Sequence, residues 1–231
     1  MRFDRRLVEG IFVERLNRFS VVVTLEGREI KAHLANSGRL RELLVKGRSA
    51  YLSPAFSGGR KTAYDLLLVK AESGVLVSVD TQLPNALFGE AFQKAELPQF
   101  AEYSAIHGEV TVGKSRIDFR LNGPERRCFV EVKSVTLVEG EVGLFPDGQT
   151  TRGVRHLCEL VEMKKEGNRA AVVFVVQRPD VACVKPNDEA DTIFGGVLRE
   201  VASAGVEAYG FRCRVGFDGV SLDESIPVFL D

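Results

Sequence analysis

Seven consecutive apolar residues, Ala170-Ala171-Val172-Val173-Phe174-Val175-Val176, lie between two stretches of helical periodicity, 151 to about 166 and 192–204. A strand with no polar face has no side to offer to water, so it belongs inside a sheet covered on both faces. Upstream, Asn85 is placed to cap a helix reaching about residue 96, and three strands follow over 109–112, 116–121 and 128–138. Helix, three strands, helix, strand, helix is the order of a mixed α/β domain.

The first eighty residues read differently. Short strands are expected over 10–16, 20–25, 29–34, 50–53, 64–70 and 75–79, with one short helix over 40–45 after the third. That order matches a small OB-like β-barrel, a fold whose open face often binds single strands. Residues 53–62, SPAFSGGRKT, read as a loop. The break falls at Thr81-Gln82-Leu83-Pro84, giving a nucleic-acid-binding domain over 1–82 and an α/β domain over 83–231.

Charge divides along nearly the same line. Residues 1–61 hold 13 Lys and Arg against 6 Asp and Glu, whereas the remainder hold 18 against 26, so a net charge of −1 conceals a basic first part and an acidic second. A basic patch is the footprint of a phosphate backbone, although basic surface residues also cluster without function. Arg39, Arg41, Arg60 and Lys61 are the expected DNA contacts. No helix-turn-helix or zinc-finger pattern marks a sequence reader, so binding is expected to be salt-dependent and weakly sequence-specific. The four cysteines form no CxxC pair, no apolar run nears the ~20 residues that span a bilayer, and the start lacks a secretory leader; a cytoplasmic location without membrane contact is expected.

Two strings carry candidate chemistry. Gly108-Glu109-Val110-Thr111-Val112-Gly113-Lys114-Ser115 matches a phosphate-binding loop, but its interior is strand-like and another strand follows where a helix is needed, so a hairpin turn is expected. The second string lies just beyond. Alternation on 116–121 sets Asp118 with Arg116 and Arg120 opposite Ile117, Phe119 and Leu121, and on the next strand Glu131 and Lys133 share a face. If the strands pair, an Asp, a Glu and a Lys converge. Two carboxylates hold a hard divalent cation, Mg2+ or Mn2+, and a lysine steadies charge developing in phosphodiester hydrolysis. The spacing D-x12-E-x-K alone fits an ordinary hairpin with one solvated face equally well.

SRIDFRL, FVEVKSVTLVEG and GLFPDGQTTRGVRHLCEL, with Asn36-Ser37-Gly38-Arg39-Leu40 and Val175-Val176-Gln177-Arg178, resemble the sugar fermentation stimulation protein A family along nearly the whole chain. The resemblance implies an OB-like domain followed by a PD-(D/E)xK nuclease-like domain in a DNA-binding protein. By position, Asp118, Glu131 and Lys133 would be catalytic, Asp118, Glu131 and Glu90 would hold the metal, and Arg152 and His156 would meet a phosphate. Asp147 is either a further acid facing the metal or part of a turn. Gly148-Gln149 departs from the family's Ala-Val type of pair. The reading is a DNA-binding protein with a metal-dependent nuclease-like centre; the alternative is a non-catalytic, sequence-nonspecific DNA-binding regulator.

Overall fold

The computed structural model describes residues 1–55, 62–113 and 115–231. Its first six strands are β1 (Val8–Asn17), β2 (Ser20–Leu25), β3 (Arg28–His33), β4 (Ser49–Pro54), β5 (Tyr64–Lys70) and β6 (Leu76–Ser78). They run β3-β2-β1-β4-β5-β6, and a β3–β5 pairing closes the first five into a barrel. Its interior holds Phe12, Val21, Val23, Leu34, Leu40, Leu52 and Leu66. The helix expected over 40–45 is only a turn. Leu40 has φ +49, a left-handed conformation that cannot start a right-handed helix, and a few residues cannot repay helix nucleation.

The second part contains α1 (Leu83–Gln93), β7 (Ala105–Val112), β8 (Ser115–Asn122), β9 (Arg127–Val135), β10 (Val138–Glu139), β11 (Val142–Phe145), α2 (Thr151–Lys165), β12 (Arg169–Val176), β13 (Cys183–Pro186), α3 (Asp188–Ser203), β14 (Glu207–Gly216) and β15 (Gly219–Ile226). Its main sheet runs β15-β14-β12-β9-β8-β7, with β12 parallel to both neighbours. Every residue of β12 is buried, as its composition requires. One face packs on α1 and on Tyr51 and Leu68 of the barrel; the other packs on α2 and α3. Strands β10, β11 and β13 form a small separate sheet.

Three differences from the expected elements have physical causes. The hairpin β14–β15 is absent from the expected elements, because its outer strand is largely exposed and its alternation of Val220, Leu222 and Ile226 is interrupted by Glu224; the Asp218-Gly219 turn between two alternating runs was the available signal. Asn85 does not cap α1. Gln82 takes that position with Pro84 in the first turn, and the Asn85 side chain is left for another partner. Alternation on β8 breaks at Asp118: Phe119 and Leu121 pack toward α1, whereas Ile117 packs among the α2 and α3 residues. The β8–β9 ladder pairs Phe119 with Val130 and then stops, and the Asp118 carboxylate accepts the Val132 N–H instead. The GKS string behaves as a hairpin turn, with Val112 paired to Ser115 across Gly113; Lys114 lies outside the described residues.

Helix α2 carries two functional candidates, and its seating rests on burial. Thr150 caps it by accepting the Gly153 N–H at 3.0 Å, and Leu157, Leu160 and Met163 face the sheet. Leu160→Ala is expected to cost about 2–5 kcal/mol in urea denaturation, from lost burial and the cavity left behind. Ile193→Ala, at a side chain 70% exposed, should change stability by less than about 0.5 kcal/mol.

A candidate metal and nucleic-acid cleft

A cleft of about 660 Å³ opens between the barrel and the sheet. Arg18 and residues 36–40 line it from the barrel side; Asp118, Glu131, Lys133, residues 144–150 and Arg152 line it from the other. Asp118, Glu131 and Lys133 therefore meet in one place, each for a structural reason. Glu131 and Lys133 lie two residues apart on β9 and share its α2-facing side, while Val130 and Val132 turn to α1. Asp118 reaches them because β8 leaves the ladder there.

The two carboxylates sit in unequal surroundings. Glu131 is only 3% exposed. Its Oε1 accepts from Lys133 Nζ at 2.7 Å and from His156 Nδ1, and its buried Oε2 has no hydrogen-bond partner among the described residues. Burial raises its pKa, but the His156 hydrogen bond and the Lys133 ammonium more than offset this and leave it below the usual Glu range. Asp118 accepts from Asn85 Nδ2 and from the Val132 N–H, both at 2.8 Å. Burial, and after it the Glu131 charge, outweigh those bonds and push its carboxyl above the usual Asp range.

His156 does not lie on the surface to meet a phosphate. It is 2% exposed, because α2 turns this residue to the sheet, and it positions Glu131 instead. Arg152 Nε donates to His156 Nε2 at 3.3 Å, which leaves the ring proton on Nδ1 to donate to Glu131. Arg152 also lines the cleft. Arg155 and Glu159, spaced as an i,i+4 pair, both reach Ser115.

Glu90 is not among the residues lining the cleft. Its carboxylate holds the N-terminal ammonium at 2.7 Å and Lys94 at 2.9 Å, and α1 contributes Asn85 to the cleft instead. Among the described residues no group of three or more His, Cys, Asp and Glu forms a metal cluster. Asp147 does not turn toward the carboxylates; its Oδ2 accepts the Arg39 N–H at 2.6 Å and ties the two walls together. Gly38 makes this possible, since a Cβ there would lie 2.5 Å from Asp147 Oδ2. Gly148 has a matching reason: a Cβ there would lie 3.0 Å from Arg39 Nε, so the departure from alanine leaves room for the Arg39 side chain. Arg39 is exposed into the cleft, Arg41 is exposed but does not line it, and Arg60 and Lys61 lie outside the described residues. Arg18 was not anticipated, because only the docking of the barrel brings it to the cleft. Gln177 joins the two parts from below, donating to Asp80 O at 3.0 Å and to Ser134 Oγ at 2.9 Å.

The family models agree with this division. "SfsA N-terminal OB domain" matches residues 13–79 and "Sugar fermentation stimulation protein RE domain" matches residues 82–219. The chain belongs to the sugar fermentation stimulation protein family. A family homolog from Moorella thermoacetica is 46% identical over 97% of this chain and 96% of its own length, and one from Desulforamulus reducens is 44% identical over 97% and 93%. The solved structure of Pyrococcus furiosus SfsA in complex with Ca2+ matches with a TM-score of 0.91 and 33% identity over 99% of this chain and 98% of that one. The OB fold and the α/β domain are thus common to the family. No helix among the described residues of this member is long and apolar enough to cross a membrane.

The raised Asp118 pKa has a consequence for stability. A carboxyl whose folded-state pKa exceeds the unfolded one favours folding while protonated, and that contribution is lost as pH rises through the raised value. Above it, the ionised Asp118 is destabilising. Asp118→Asn removes the ionisable group but leaves one acceptor oxygen for the two N–H donors that the Asp118 carboxylate holds, a fixed cost that does not vary with pH. In urea denaturation with a chelator present, its stability relative to wild type should therefore rise as pH increases through the raised Asp118 value and fall back where the wild-type group takes up its proton.

Proposed function

We propose that this chain binds DNA through phosphate contacts and hydrolyses phosphodiester bonds in the cleft with Mg2+ or Mn2+ held by Asp118 and Glu131. The observation that carries this reading is the buried, unpartnered Glu131 Oε2 beside Asp118 and Lys133. An acceptor left bare at that depth is costly unless something occupies it. The donor set fits a hard cation, since Mg2+ commonly takes one or two carboxylates and completes its shell with water and substrate oxygens. The Ca2+ complex of the Pyrococcus relative supports a divalent site in the family. The domain is read as PD-(D/E)xK nuclease-like on the same three residues, with boundaries at 1–82 and 83–231.

Each residue has a distinct task in this reading. Asp118 and Glu131 supply the oxygens, and Asn85 and the Val132 amide fix the Asp118 carboxylate. His156 and Lys133 hold Glu131 by one oxygen and so leave the other available. Lys133 also sets a positive charge beside the reacting phosphate, where charge grows during displacement. Arg39 and Arg152 take flanking phosphates, and Arg41 extends the basic surface of the barrel domain; Arg60 and Lys61, outside the described residues, add to the positive charge of this part of the chain. The bound ion would supply Lewis acidity and a water of lowered pKa.

The test is cleavage of plasmid and oligonucleotide DNA with Mg2+ or Mn2+. Asp118→Ala, Glu131→Ala and Lys133→Ala should each lower the rate by about 10²-fold or more while DNA binding stays near wild type. His156→Leu should weaken Mn2+ binding read by titration calorimetry, and His156→Asn, which keeps a donor at the Nδ1 position, should restore much of it. Wild-type protein that binds DNA but cuts nothing with either metal would overturn the enzyme reading and leave the regulator. Cutting that survives Asp118→Ala would identify a contaminant.

A further inference from the structure

The basic lining of the cleft continues onto the barrel lip. Arg18 lines the cleft from the turn between β1 and β2, and the next residue, Phe19, is 51% exposed. Phe19 follows a cleft-lining arginine in the same turn without itself lining the cleft, and it takes no part in packing the barrel, whose interior is filled without it. The turn is nonetheless built to hold it in place. Asn17 Oδ1 accepts the Phe19 N–H at 2.9 Å, and the Phe19 carbonyl accepts the Leu34 N–H at 3.0 Å. Arg15 braces the lip as a whole. Its guanidinium donates to the carbonyls of Asn17 at 3.1 Å, Arg18 at 2.8 Å, Asn36 at 2.7 Å and Arg39 at 3.1 Å, and also to that of Gly38. The β1–β2 turn and loop 36–40 are thereby one rigid edge that carries both Arg18 and Arg39.

We propose that Arg18 and Phe19 form an entry platform for single-stranded DNA, with Phe19 stacking on an unpaired base and Arg18 pairing an adjacent phosphate. The strand then runs past Arg39 and Arg152 toward Asp118 and Glu131. This rests on the DNA reading above and adds the strandedness of the ligand. One consideration selects a single strand: a base inside a duplex has both faces covered by its neighbours, so a protruding ring can stack only on a base that is free. The three arginines around the path, Arg18, Arg39 and Arg152, favour a polyanion over an apolar protein partner. Stacking uses the face common to every base, so the platform does not read sequence.

The chain has no tryptophan, so Phe19→Trp places a single indole reporter on the platform of the full-length protein. Binding is measured by anisotropy of a labelled oligothymidylate and of a duplex of equal length, with a chelator present to prevent cleavage. Wild type should bind the single strand more tightly. Phe19→Ala should weaken that binding by about ten-fold without changing its salt dependence, and Phe19→Trp should bind like wild type with quenched indole emission. Arg18→Ala should weaken binding and flatten the slope of log K against log salt by about 0.7, the loss of one phosphate contact on a single strand. If both DNAs bind, but Phe19→Ala is neutral and the indole emission is unmoved, the platform is wrong and the DNA reading survives. If wild type binds neither DNA, the DNA reading itself fails and the platform with it.

Discussion

A negative charge buried in a β-sheet is tolerated only if something holds it, and the fold around Glu131 is arranged to do so. At 3% exposure this carboxylate would be driven toward its neutral form by desolvation alone. Lys133 reaches it from the same strand and His156 from α2, and the two leave it ionised. Each of these contacts depends on larger packing. Lys133 shares its face only because β9 keeps strict alternation there, and His156 is in place only because Leu157, Leu160 and Met163 seat α2 on the sheet. The fully buried β12 makes the sheet deep enough to need such a cover.

The same constraint sets Asp118 apart from its neighbour. Glu131 is buried with the Lys133 ammonium and the His156 imidazole hydrogen-bonded to it, whereas Asp118, partly buried, accepts from two neutral N–H donors. Their pKa values are pushed in opposite directions, Asp118 up and Glu131 down. Such divergence in a pair of close acids follows from their unequal partners and gives the two carboxyls different chemical roles to play. The break in β8 alternation at Asp118 belongs to the same design, since a regular strand would present that carboxylate elsewhere and leave the Val132 amide in the ladder.

How much of this could be read from the chain depended on how local the determinant was. Asp118, Glu131 and Lys133 were legible because strand alternation and adjacency place them within two hydrogen-bonded strands. The barrel and the α/β sheet were legible from strand count, order and one apolar run. The errors arose where tertiary packing decides. His156 carries a polar ring, and nothing local says that α2 presents it inward. Glu90 and Asn85 lie five residues apart on one helix, and only the docking angle of α1 decides which reaches the cleft. Asn85 also resembles a cap, yet capping was already settled by Gln82 and Pro84. Arg15 and Arg18 escaped notice because Arg15 also braces carbonyls more than twenty residues away and Arg18 reaches the cleft only once the barrel is docked.

The cleft is a property of the pair of domains and of neither alone. Its carboxylates belong to the sheet, two of its arginines belong to the barrel, and the two sets are registered by a few specific ties. Asp147 holds the Arg39 amide, and Gln177 holds the Asp80 carbonyl while its own carbonyl accepts the Ser78 N–H; within the barrel, Asn36 steadies the loop that carries Arg39 by bonding Val79 and Gly38. Two glycines, Gly38 and Gly148, lack a Cβ where it would collide with this joint. Interfaces between domains of one chain are commonly polar and free to shift; here hydrogen bonds at several points and a shared apolar cluster through Tyr51 and Leu68 oppose that freedom. A barrel fixed in this way holds Arg18 and Arg39 at a constant distance from Asp118 and Glu131, which is what the proposed chemistry on a flexible polyanion would demand of its scaffold.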